Sequence, residues 1–271
     1  MSDTYYIAKL NINGNIFTDN NNFNKIKTEL IPNRILSFKD GYSITQKHVK
    51  YTFADVEKLS KDIISGKVVK LFDRELENVN KGKTLKKLEQ DGKECKFFYS
   101  IENELFLLQE CDLYKGGNAL LEIIEKLIEN DYNIGELKIR LLKTSQDISK
   151  ILINEEIKEI QFNYIHPNDK STLDQFSEVM DSVEAGSGNI TLRAPSKKGL
   201  ILTDKNGNIK PIAQDMLNYT DNSYGDIIAT KTDGSKINSN NPKYVLRETL
   251  PDESEISLKR IFNKIKAHWK G

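Results

Sequence analysis

The 271 residues carry 40 basic and 40 acidic side chains, so the formal charge is zero and the whole chain has no net pull toward nucleic acid or an anionic membrane. No apolar run reaches the roughly 20 residues that a spanning helix needs, and the opening MSDTYYIAKLNING has neither the basic nor the apolar region of a secretory signal. Two cysteines, Cys95 and Cys111, are too few for a disulfide framework or a cysteine-rich zinc site, so a cytoplasmic protein with reduced thiols is expected.

Chain order predicts an α+β fold, with mixed, mostly antiparallel sheets layered with helices in two subdomains. TYYIAKLNI (4–12) alternates as an opening strand, and NGNIFTDNNNFN after it is rich in turn residues. ILSFKDGYSITQKHVKYTF reads as strands about an Asp40-Gly41 turn. In TFADVEKLSKDIISG, Phe53, Val56, Leu59, Ile63 and Ile64 recur at helical spacing and Gly66 suits a C-cap, which predicts a helix. Residues 73–94 are so charged and poor in apolar side chains that an exposed loop with at most a short helix is expected.

CKFFYSI and LFLLQEC form a hairpin about Glu102-Asn103, with Cys95 and Cys111 brought together at its open end. NALLEIIEKLIEN (118–130) is the best helix, with Leu120, Leu121, Ile124, Leu127 and Ile128 on one face. A strand (GELKIRLLKT), a helix (SQDISKILIN) and a strand (IKEIQFNYI) follow. Next come a helix (STLDQFSEVMDSVEA), a strand (NITLRAP), an Asn206-Gly207 turn, a short helix (IAQDMLNY), an Asp233-Gly234 hairpin and a strand (KYVLRETL). An amphipathic helix, SEISLKRIFNKIKAHWKG, comes last. A boundary near 166–190 divides a strand-rich α+β domain, 1–166, from a basic α+β domain, 167–271.

Few residues have the look of chemistry. His166, Asn168 and Asp169 cluster about Pro167, but His48 and His268 are isolated in sequence, and a metal site would need a second group of ligands. Strand end, turn and a helix cap at Ser171 with Asp174 behind it explain the cluster as punctuation. Two glycines in YKGGNALLEII precede a helix, a geometry able to hold an anion, without the spacing of a phosphate-binding loop. Glu136 and Lys138 match the second half of a PD-(D/E)xK nuclease core, whose partner aspartate would have to be Asp131 or Asp112. No catalytic residue, metal or cofactor is assigned.

Charge is unevenly placed. Residues 1–185 hold 26 basic and 31 acidic side chains, and residues 186–271 hold 14 and 9, so the ends differ as −5 and +5. In the basic part, Arg193, Lys197, Lys198, Lys205, Lys210, Lys231, Lys236, Lys243 and Arg247 fall in strands and turns. Lys259, Lys264 and Lys266 fall on the polar side of the last helix. If these face one way they neutralise several phosphates. The opposite side of that helix, Leu258, Ile261, Phe262, Ile265 and Trp269, is suited to a partner or a dimer mate.

The order of hairpin, helix, strand ending in Pro167-Asn168, helix and basic strand segment with DKNGNI resembles a diverse group of proteins. That group is the phage-exclusion and bacterial anti-phage proteins that include RexA, the Gop-like proteins and the Kiwa component KwaB. The resemblance implies a non-enzymatic defence protein that binds double-stranded DNA largely without sequence specificity, often as a homodimer. Two other readings stand beside it: an interaction module that pairs with itself or with a second defence protein through the last helix, and a metal-dependent nuclease built on Glu136.

Overall fold

Alternation along TYYIAKLNI gives β1 (Asp3–Ile12), and the sheet grows on both of its edges. The computed structural model describes residues 3–13, 20–40, 43–46, 48–80, 83–112, 118–129, 133–144, 146–168, 175–195 and 198–269, with backbone alone at 20–21, 39–40, 75–90, 175 and 268–269. After β1 come α1 (Asn20–Lys25), a π-helical turn (Ile26–Leu30), α2 (Ile31–Leu36) and a 3-10 turn (Ser37–Asp40). Next are β2 (Ile44–Gln46), β3 (Val49–Lys58), β4 (Ile63–Asn80), β5 (Lys83–Ser100), β6 (Leu105–Gln109), α3 (Asn118–Glu129) and β7 (Leu137–Leu141). Then follow α4 (Gln146–Asn154), β8 (Ile157–Ile165), α5 (Gln175–Ser182), β9 (Ser187–Arg193), α6 (Pro211–Asp221), β10 (Gly225–Lys231) and β11 (Lys236–Asn238). A 3-10 turn (Pro242–Tyr244), β12 (Arg247–Leu250) and α7 (Glu255–Trp269) close the order.

The fold is α+β, and the pairings in both sheets are antiparallel. The first sheet runs β12-β1-β6-β5-β4-β3-β2, with β7 beside the second half of β1. Both of its faces are covered. Tyr6, Leu10, Phe53, Phe97 and Phe106 meet α2 and α3, while Tyr5, Ile7, Ile63, Phe98 and Leu107 meet α7. The second sheet runs β11-β10-β8-β9, and Ile160, Phe162, Tyr164, Ile227 and Ala229 pack with α4, α5 and α6 on one side of it.

The sheets exchange segments across residue 166. β8 precedes that point yet belongs to the second sheet, whereas β12 and α7 follow it and complete the first.

The helix expected from Phe53 to Ile64 is instead β3 leading into β4. The pairing shifts register between Ala54 and Glu57, and Asp55 takes φ 49°. That extra residue turns a period of two into a spacing of three, so Phe53 and Val56 point to the same core. Ile63 and Ile64 are adjacent yet both buried, because they face opposite covered sides of the sheet.

The loop expected over 73–94 is the outer part of a long hairpin, β4 with β5. The reversal placed at Asp40-Gly41 also moves. Asp40 ends a 3-10 turn, Gly41 lies outside the described residues, and the β2–β3 hairpin turns at His48, with φ 66°. The Asn206-Gly207 and Asp233-Gly234 turns form where expected, with the glycines at φ 82° and 87°.

Candidate functional site

Three lysines converge at the end of the second sheet. The β10–β11 hairpin is tightened by the Asp233 carboxylate, which accepts from the Ser235 backbone N–H at 2.8 Å. Asn241 caps the following 3-10 turn by accepting from the Lys243 N–H at 3.1 Å. These two turns set Lys231, Lys236 and Lys243 around a cleft of about 220 Å³, joined there by Ser235, Asn238 and Asn241. Lys243 Nζ stands 4.6 Å from the ring centre of Tyr244, and Lys231 has a carboxylate, Glu155, 3.3 Å away. Cations and hydroxyl or amide donors around a small polar hollow suit an anion.

The remaining basic residues lie elsewhere. Arg193 meets Glu159 at 2.5 Å, and Arg247 lies over Tyr6 with Glu110 at 3.9 Å. On α7, Lys259 meets Glu255 at 2.5 Å, Lys264 meets Glu248 at 2.6 Å and Lys266 meets Glu102 at 2.7 Å. Lys205 and Lys210 flank the Asn206-Gly207 turn, Lys198 is exposed, and Lys197 is outside the described residues. Three of the basic side chains thus line a cleft on the second sheet, Arg193 meets a carboxylate of that same sheet, and Arg247, Lys259, Lys264 and Lys266 each meet a carboxylate elsewhere. Exposed pairs of this kind contribute about 0–1 kcal/mol, so a phosphate can displace the carboxylate.

The apolar face of α7 is occupied within the chain. Leu258, Ile261, Phe262 and Ile265 are buried against Tyr5, Ile7, Ile63 and Phe98, so these four side chains complete a core and leave no face for a partner. The side chain of Trp269 is outside the described residues.

The His-Pro-Asn segment joins the sheets. The His166 ring sits between the Pro167 carbonyl and Asp181, each 2.8 Å away. Asn168 behaves as a length of strand: it accepts from the Ile12 N–H at 3.0 Å and donates to the Leu10 carbonyl at 3.4 Å. Asp169, Ser171 and Asp174, with the glycines of YKGGN and Asp131, lie outside the described residues.

Glu136 forms an ion pair with Lys138 at 2.9 Å, and Asp112 is in a turn after β6. Among the described residues no three His, Cys, Asp or Glu side chains gather as metal ligands. Cys95 and Cys111 meet at the open end of the β5–β6 hairpin as free thiols. A hydrogen bond with Cys111 and burial push the Cys95 thiol up, so it should resist a maleimide at neutral pH. A Cys111→Ser variant should label slowly when folded and at once in urea; fast labelling of the folded form would contradict this.

A second hollow, of about 360 Å³, lies where α3, β7 and the start of β10 meet. Glu125 and Glu129 sit one turn apart on α3, a spacing of about 6 Å that matches alternate N–H groups on a strand. They accept from Ile139 N–H at 2.6 Å and Leu137 N–H at 2.7 Å, which closes the outer edge of β7. Burial raises the Glu125 carboxyl to about 7, although the Ile139 N–H and the Lys138 and Arg140 charges act the other way.

Beside it the Asp226 carboxylate, on β10, bonds both Arg140 of β7 and Lys143. Burial opposes its charge, but the Lys143 and Arg140 cations prevail and hold its carboxyl below the usual range. Burial also pushes the Lys143 ammonium down. Sequence reading missed this group. Its signal, two glutamates four apart beside the apolar face of a helix, is also common on solvated helices.

No model of a known protein family matches the chain. No curated protein matches it either. Among the described residues no helix is long and apolar enough to cross a membrane.

Proposed function

We propose that this protein binds duplex DNA through its phosphates, largely without reading sequence, and that the second-sheet cleft is a contact point. The single observation that carries the reading is the convergence of Lys231, Lys236 and Lys243 with Ser235, Asn238 and Asn241 around one polar hollow. Contacts of this type position a protein on the backbone and carry little base information. The reading needs no catalytic step. The resemblance to phage-exclusion and anti-phage proteins supports defence as its setting.

Anisotropy with a labelled random-sequence duplex tests it. Three phosphates neutralised in the cleft give a salt slope of about −2.7 and a loss of affinity of roughly 40-fold between 50 and 200 mM salt. Reversing charge at Lys231, Lys236 and Lys243 together should remove most of that slope. Absence of binding by the unaltered protein at 50 mM salt would overturn the reading.

A further inference from the structure

β4 and β5 pair without a break from Ile63 opposite Ser100 to Asn80 opposite Lys83. β3 accompanies β4 only to Leu71, and β6 accompanies β5 only from Phe97 to Ser100. Past Phe72 and Asp91 the hairpin runs on as a two-stranded ribbon, with no third strand beside it among the described residues. Its reach is roughly 25–30 Å at the usual rise per residue.

Register divides the ribbon, counted together with the three residue pairs at its base from Val69 opposite Glu94 to Leu71 opposite Gly92, by charge. Opposed residues in an antiparallel pair share a face, and successive pairs alternate between faces. One face takes the positions of Lys70, Arg74, Lys83, Lys87 and Lys93 against Glu89 and Asp91, five cations less two anions, or +3. The other takes Asp73, Glu75, Glu77 and Glu94 against Lys86, one cation less four anions, or −3. The faces cancel in the total, which hides the asymmetry from any count along the chain. Lys70 and Lys93 are directly opposed, a repulsive placement that an anion above them would relieve. Arg74 and Asp91 are 3.7 Å apart and both exposed, a weak pair that leaves the guanidinium available.

A two-stranded ribbon is marginally stable alone in water, so one that runs on past its neighbouring strands gains by lying on a surface. A duplex major groove, about 12 Å wide, admits a two-stranded ribbon. We infer that the basic face of this ribbon is a second contact with duplex DNA. Phosphates attract the face of Lys83 and Lys87 and repel the face of Glu75 and Glu77, which fixes which side meets the polymer. The inference rests on the reading that the ligand is duplex DNA, and it adds a contact separate from the cleft. Two linked contacts raise the effective concentration of each at the other.

The test uses the whole chain and a labelled 30-base-pair duplex of random sequence, a length of roughly three helical turns. Arg74→Glu/Lys83→Glu/Lys87→Glu should weaken binding at 50 mM salt at least tenfold and flatten the salt slope by about 2–3. Glu75→Lys/Glu77→Lys, on the opposite face, should bind as tightly as the parent or more so, and unchanged melting temperatures show that both variants fold. Parental affinity in the basic-face variant overturns the inference, and the cleft reading survives if reversing Lys231, Lys236 and Lys243 still abolishes binding. Loss of binding in both ribbon variants also overturns it, because the effect would then not follow the sign of the face. So does a DNA-free dimer, seen by sedimentation, that only the basic-face variant dissolves, since the ribbon would then be an arm between two copies. No binding by the parent overturns both readings.

Discussion

Asp226→Ala should cost about 3–5 kcal/mol of stability, the range for stripping one partner from a buried ion pair. Lys143 has no exposed side-chain surface and Arg140 is 19% exposed, and both bond this carboxylate. Without it two cations stay in the junction between the sheets, one of them out of reach of water. The alternative for Lys143, folding as a neutral amine, is favoured by burial but still requires giving up a proton at neutral pH.

Urea unfolding at pH 7 measures the loss directly. The double variant Lys143→Met/Asp226→Leu, which removes the buried pair together, should recover much of it, because apolar replacements of buried ion pairs are often near neutral. A loss under about 1 kcal/mol for Asp226→Ala would mean that water reaches Lys143 in solution.

Glu125→Gln carries the second large effect, and its sign depends on pH. The folded protein holds the Glu125 proton up to about 7, whereas an ordinary glutamate releases it near 4.5. Between those values the folded state binds more protons than the unfolded state, so stability falls as pH rises through the window and stays low above it. Glutamine keeps an oxygen for the Ile139 N–H and carries no charge. The variant should match the parent near pH 4.5 and exceed it by on the order of 2–3 kcal/mol above pH 7.5. Equal urea midpoints for parent and variant at pH 8 would contradict the burial cost. A variant less stable at every pH would show that the charge of Glu125 on β7 outweighs that cost.

Local signals in the sequence carry well into the fold. The hairpin around Glu102-Asn103, the helix on Leu120, Leu121, Ile124, Leu127 and Ile128, and the turns at Gly207 and Gly234 each depend on neighbours in sequence. Where a residue's meaning depends on distant chain, the sequence misleads. Phe53 and Val56 imitate a helix because a bulge at Asp55 displaces the strand period. The ribbon beyond Phe72 looks like a loop because its sequence is dense in charge and lacks the apolar alternation by which strands are recognised.

The candidate sites divide in the same manner. Lys231, Lys236 and Lys243 were legible as basic residues near turns, but their convergence needs the hairpin and the Asn241 cap together. The amphipathic pattern of Leu258, Ile261, Phe262 and Ile265 was legible, and the surface it covers was not, because Tyr5 and Phe98 lie far away in the chain. The pairing of Asp226 with Lys143 spans 83 residues and leaves no local trace.

The path between the sheets sets an order of assembly during synthesis. The chain leaves the first sheet at Lys143 and re-enters beside the same point, where Lys143 bridges Val245 and Thr144 N–H reaches the Tyr244 carbonyl at 2.9 Å. Every strand of the second sheet is translated between those two residues. That sheet can close as soon as β11 clears the ribosome, while β1, made before it, waits for β12, made after it. Until then the Tyr5 and Ile7 side of the first sheet is without α7, so a nascent chain stalled short of Leu258 would present that surface to chaperones.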